Sequence, residues 1–128
     1  MKLLLDTCAF LWLAEGSRKL GPSAVEAFLD VDNERYVSAA SAWEIAIKYS
    51  RGRMPLPSRP EIYLPQLRLR GNIEMLPVDE EAALYVGKLP WLHQDPFDRV
   101  LVAQAVVNGM TILTPDAEIE QYAVRTLW

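Results

Sequence analysis

Residues 95–114 read DPFDRVLVAQAVVNGMTILT, and the order of signals in them decides the fold. Asp95 stands where a helix N-cap belongs, and Pro96 suits the first helical position. Leu101, Val102 and Ala105 then recur three, four and seven residues after Asp98, the spacing of one buried helix stripe. Asn108 ends the pattern and Gly109 supplies a C-terminal stop. Thr111 to Thr114 follows as a short buried strand closed by Pro115.

The same grammar runs through the rest of the chain. Leu3-Leu4-Leu5 is a buried strand ending at Asp6, and Thr7 to Ala14 is a helix capped by Asp6 or Thr7. Pro22 opens a helix through Val25, Phe28 and Leu29, and Tyr36-Val37 is a short strand. A longer helix starts at Ser38 or Ser41 and ends near Gly52. Pro55, Pro57, Pro60 and Pro65 mark an irregular segment with at most a short helix up to Arg70. Ile73 to Leu76 reads as a strand, Asp79 to Val86 as a helix, and Val124 to Leu127 as a last strand. Strands alternating with helices predict an α/β sandwich around a mostly parallel sheet. Ligands bind such sheets beyond the carboxyl ends of the strands, where Asp6 and Asp116 both fall.

Size and composition bound this reading. The 128 residues make one domain, 1–128, and 51% hydrophobic content is enough for a core. One cysteine, Cys8, and one histidine, His93, exclude an internal disulfide and a Cys/His metal module. Asp6 interrupts the apolar N-terminus, against a signal peptide, and no apolar run reaches a membrane span of about 20 residues. A soluble, cytoplasmic protein is expected. Seventeen acids against 13 bases give a net charge of −4, which by itself argues against a nucleic-acid binder. The charge is uneven, however. Between Ile45 and Ile73 stand Lys48, Arg51, Arg53, Arg59, Arg68 and Arg70 against the single acid Glu61. That stretch carries +5 and leaves −9 for the remainder.

Three acids stand out. Asp98 shares the apolar stripe of its helix, where a charge is costly unless capped, paired or metal-bound. It is either a capping device reaching back to the Asp95 amide or a ligand. Asp6 and Asp116 have the same two readings at their own turns. A strand-end Asp, a helix-start Asp and a second strand-end Asp converge on one sheet edge, where only a bridging cation, Mg²⁺ or Mn²⁺, offsets their repulsion. Glu44 by spacing alone is a surface partner of Lys48, with Ala42, Trp43, Ile45, Ala46 and Tyr49 as the apolar side of its helix. Thr7 to Ala14 is apolar on every side, which suits either core or a protein interface. Cys8 reads as a small buried apolar residue.

Leu4-Leu5-Asp6-Thr7, the run Ser41-Ala42-Trp43-Glu44-Ile45-Ala46-Ile47-Lys48, Leu89-Pro90 with residues His93 to Arg99, and Ala103-Gln104-Ala105 resemble the PIN-domain family. The likeness is strongest to the VapC-type toxins of bacterial toxin–antitoxin pairs. It implies a Rossmann-like α/β/α sandwich and a metal-dependent endoribonuclease using Mg²⁺ or Mn²⁺. By motif it carries catalytic and metal-binding roles onto Asp6, Glu44, Asp98 and Asp116. Cys8 departs from relatives that carry histidine there, and Pro115 stands before the final acid. On this reading Thr7 and Thr114 steady carboxylates or water from behind, and Lys48, Arg51, Arg53 and Arg99 contact the RNA backbone. The resemblance also implies a small antitoxin partner and a homodimer. Phe10, Trp12, Leu13, Met54 and Leu56 are the expected partner groove. Two other classes remain: a catalytically silent interaction module on the same fold, and an aspartate-based phosphatase with Asp6 as nucleophile. The phosphatase motif wants a second Asp where Cys8 stands.

Overall fold

A computed structural model of the chain describes all 128 residues, apart from the side chain of Ala14. Five strands, β1 (Lys2–Leu5), β2 (Glu34–Ser38), β3 (Glu74–Leu76), β4 (Thr111–Leu113) and β5 (Thr126–Leu127), form one sheet in the order β3-β2-β1-β4-β5. Every neighbouring pair is parallel. Seven helices connect them: α1 (Thr7–Glu15), α2 (Pro22–Leu29), α3 (Ala39–Ser50), α4 (Pro60–Gly71), α5 (Glu80–Tyr85), α6 (Pro96–Asn108) and α7 (Ala117–Glu120). A single 3₁₀ turn, Val86–Lys88, follows α5.

The alternation of strand side chains splits the core into two layers. Leu3, Leu5, Val37 and Leu113 face one way, packing with Phe10, Ile45, Leu64 and Leu67. Leu4 and Ile112 face the other, packing with Leu101, Val102, Ile119 and Tyr122. Helices α1 to α4 thus contribute to one core layer and α6 and α7 to the other, giving the expected α/β/α sandwich. Strand order reverses at β1: β2 lies on one side of it and β4 on the other. The crevice beyond the ends of β1 and β4 is therefore the place where such a sheet offers a binding site.

Most elements fall where the sequence puts them. Asp6 caps α1, its Oδ1 accepting from the Ala9 N–H at 2.7 Å. Ser38 caps α3. Asp95 caps α6 and accepts from the Phe97 N–H at 2.9 Å, and Gly109 closes that helix at φ 64°.

The proline-rich segment corrects the expectation. It holds a 12-residue helix, α4, with Pro65 inside it. A mid-helix proline costs about 3 kcal/mol. Tyr63, Leu64 and Leu67 are buried on that helix, each contributing about 1.5–3 kcal/mol, and together they outweigh Pro65. The short helix α7 was not anticipated. Asp116 nucleates it by accepting from the Glu118 N–H.

The apolar side assigned to α3 holds only for Ile45 and the half-buried Tyr49. Its buried residues are Ala40, Ser41, Glu44 and Ile45, whereas Ala42 and Ala46 face solvent and Trp43 is 65% exposed. Phe10 is 1% exposed and belongs to the core, not to a partner surface. Cys8 is exposed rather than buried.

Candidate metal centre

Strand pairing brings Leu5 level with Leu113, so the next residues, Asp6 and Thr114, emerge side by side at the carboxyl edge. The Thr114 hydroxyl donates to Asp6 Oδ2. Its oxygen also accepts from the Asp116 N–H at 3.0 Å, which ties Asp116 to the same edge. Asp6 is buried by the packing around it, and that burial pushes its carboxyl up to about 6. The Thr114 and Ala9 hydrogen bonds oppose the shift, while repulsion from Asp116 and Glu44 adds to it.

Asp98 enters from the first turn of α6. The capping reading fails for it, because no bond joins its carboxylate to the Asp95 amide and Oδ2 turns to His93 instead. Asp98 Oδ2 lies 2.9 Å from Nε2 of His93. Burial pushes Asp98 up to about 6, and the His93 hydrogen bond opposes this. Asp95, Asp116 and Glu44 reinforce the shift by charge repulsion. His93, Asp98 and Asp116 each bring one donor atom to within 4.8 Å of the others.

Glu44 arrives from α3 with both oxygens engaged. Thr7 donates to Oε1 at 2.7 Å, and Lys48 donates to Oε2 at 2.7 Å. The expected Glu44–Lys48 pair thus exists, but it joins an exposed lysine to a buried carboxylate, Glu44 being 6% exposed. Lys48, Arg51 and Arg53 line a pocket of about 260 Å³ together with Glu44, Asp95 and Phe97. Arg59 and Arg68 belong to a separate groove between α3 and α4, so the basic stretch does not form a single face.

Arg99 is not a phosphate contact. It is 2% exposed. Its guanidinium donates to the carbonyls of Pro90 at 2.8 Å and Val86 at 3.0 Å, and to the Tyr122 hydroxyl at 3.0 Å. It also lies 4.0 Å from the Trp91 ring centroid. These bonds fix the loop that carries His93, whose own N–H donates to the Tyr122 oxygen at 3.0 Å. His93 was missed as a site residue by sequence reasoning, which weighed it only against Cys8. Its position five residues before Asp98, just ahead of a proline-opened helix, was the available signal. Although Cys8 reaches solvent, the protein packed around its sulfur partly desolvates the thiol and raises it to about 11, and neighbouring acids add to the shift, so it is a poor nucleophile.

The donor set fits a divalent cation. Buried carboxylates with raised pKa values and shared repulsion are the condition that a bound cation relieves. Among the described residues no helix is long and apolar enough to cross a membrane.

A parallel α/β sandwich with an acid and histidine cluster at its switch point defines the class. Residues 3–125 match the family model of the PIN domain, and the chain belongs to the PIN-domain family. A curated relative, Ribonuclease VapC16 of Mycobacterium tuberculosis, is 46% identical over 50 residues. That stretch covers 39% of this chain and 36% of the relative's length. The fold is similar to that in the crystal structure of DNA-bound VapBC from Salmonella typhimurium. That comparison has a TM-score of 0.71 at 20% identity, covering 99% of this chain and 97% of that one. VapBC2 from Rickettsia felis, bound to a DNA fragment from its promoter, gives a TM-score of 0.67 at 15% identity, covering 99% and 98%.

Proposed function

We propose that this chain is a divalent-metal-dependent endoribonuclease, the toxin of a toxin–antitoxin pair, working in the cytoplasm as one domain. The observation that carries the reading is the approach of Asp98 to Asp116, which Thr114 ties to the same sheet edge as Asp6, in a PIN-domain chain. The ribonuclease name of the matched relative and the VapBC complexes among its structural neighbours support it.

Asp6, Asp98 and Asp116 would hold Mg²⁺ or Mn²⁺, with Glu44 completing the site directly or through water. A bound ion supplies Lewis acidity at the scissile phosphate and lowers the pKa of a water molecule. Thr114 orients Asp6, and Thr7 and Lys48 orient Glu44. Lys48, Arg51 and Arg53 line the adjoining pocket and would hold the RNA backbone.

The antitoxin groove is assigned to Trp12, Leu13, Met54 and Leu56. Leu13, Met54 and Leu56 pack half-buried against the core, and Trp12 sits at its edge against Trp128. Trp43, Met75, Val78 and Phe97 line an apolar groove of about 380 Å³, and a homodimer is part of the proposal.

Cleavage of total RNA with and without EDTA tests the reading, alongside Asp98→Asn. Loss of cleavage in both is expected. Full activity in either overturns it. Co-expression with the neighbouring small reading frame should give a stable complex, and its absence removes the antitoxin claim.

A further inference from the structure

We propose that His93 is itself a ligand of the ion held by Asp98 and Asp116, so that this pocket favours ions that accept imidazole, such as Mn²⁺ and Zn²⁺, over Mg²⁺. The proposal rests on the reading of those two carboxylates as metal-binding groups. It adds a nitrogen donor to a site that the acids alone would make purely oxygen-based.

Three features of His93 support it. Nε2 stands 2.9 Å from Asp98 Oδ2. Two ligands on adjacent vertices of an octahedral ion with bonds of about 2.1 Å lie about 3 Å apart. An ion can therefore replace the hydrogen bond with little movement of either side chain.

The far side of the ring has a carboxylate of its own. Nδ1 faces Glu118 Oε2 at 3.7 Å, and Gln121 Nε2 donates to that same oxygen at 3.0 Å. At 3.7 Å this is a charge contact and not a hydrogen bond, but a shift of the exposed Glu118 side chain by under about 1 Å would complete the carboxylate, imidazole and metal series that fixes the tautomer of a ligating histidine.

The loop is also held before any ion arrives. Arg99 and Tyr122 bind the backbone leading into His93 and at His93 itself, through Val86 O, Pro90 O and the His93 N–H.

The chain has one histidine, so a nitrogen signal from bound metal has one assignment. The experiment uses the full chain without added histidines. Electron spin-echo modulation of bound Mn²⁺ should show coupling to an imidazole nitrogen, and His93→Gln should remove it. Calorimetry should show His93→Gln weakening Zn²⁺ by more than about tenfold and Mg²⁺ by less than about twofold. Glu118→Gln should keep the nitrogen coupling and weaken Zn²⁺ by about tenfold. Bound Mn²⁺ without nitrogen coupling overturns the proposal. If that binding is lost in Asp98→Asn, the acid site stands without His93. Failure of the wild-type chain to bind Mn²⁺ at all overturns both this proposal and the reading beneath it.

Discussion

Thr114 and Asp6 are 108 residues apart in the chain, yet the Thr114 hydroxyl donates to the Asp6 carboxylate at the end of the neighbouring strand. That bond lowers a carboxyl that burial otherwise raises. Thr114→Val should push Asp6 further up, so that half-maximal Mn²⁺ binding moves to higher pH. Thr114→Ser should restore the wild-type profile. A pH titration of Mn²⁺ binding checks both, and an unmoved Thr114→Val profile would show that Thr114 does not tune Asp6.

Asp6 and Asp98 both have folded-state pKa values of about 6 against an ordinary 3.8. Their folded forms therefore hold protons more tightly than the unfolded chain does. The contribution to stability is complete below about pH 3.8 and is lost as pH rises through about 6. In EDTA, Asp98→Asn should gain melting temperature over the wild type as pH goes from 4.5 to 8. Saturating Mn²⁺ should reverse the gain, because the wild type alone keeps the full carboxylate set. A melting difference that is flat with pH would refute this.

Arg51 and Arg53 line the pocket beside Glu44 and are exposed. If each holds one RNA phosphate, the double alanine variant should flatten the slope of log affinity against log salt by about 1.4 for a single strand. Binding is measured on a single-stranded oligonucleotide with Asp98→Asn as background, so that cleavage does not intrude. Melting temperature should stay within about 2 °C of the parent, since neither residue is buried.

Arg99→Lys should be destabilising despite conserving charge. A lysine cannot reach Val86 O, Pro90 O and the Tyr122 hydroxyl together. Leaving two of these buried acceptors unpaired costs about 2–5 kcal/mol, readable from the urea midpoint. A change under about 1 kcal/mol would mean that the loop does not depend on the guanidinium.

What the sequence shows clearly is local. Asp6 and Asp95 are legible as caps because each bonds an amide two or three residues ahead. The five strands were legible as short runs, and so was a mostly parallel sheet between helices, whereas the strand order was not. The proline-rich helix α4 was not, because local signals count Pro65 and cannot see the core that Tyr63, Leu64 and Leu67 enter.

The site divides along the same line. Asp6, Asp98 and Asp116 could be singled out because the strand and helix ends that carry them are set by nearby residues. Glu44 could not be placed by spacing, since its burial depends on Thr7, 37 residues earlier. Arg99 looked like a surface base beside an acidic motif, and only the folding of Val86 to Pro90 and Tyr122 around it made it a clamp. The position of His93 next to Asp98 is likewise fixed by that clamp. The sequence alone determined the elements and their caps, because those energies act over a few residues. Tertiary structure alone decided which charges are buried together, because desolvation and repulsion depend on distances that the chain sets only when it is folded.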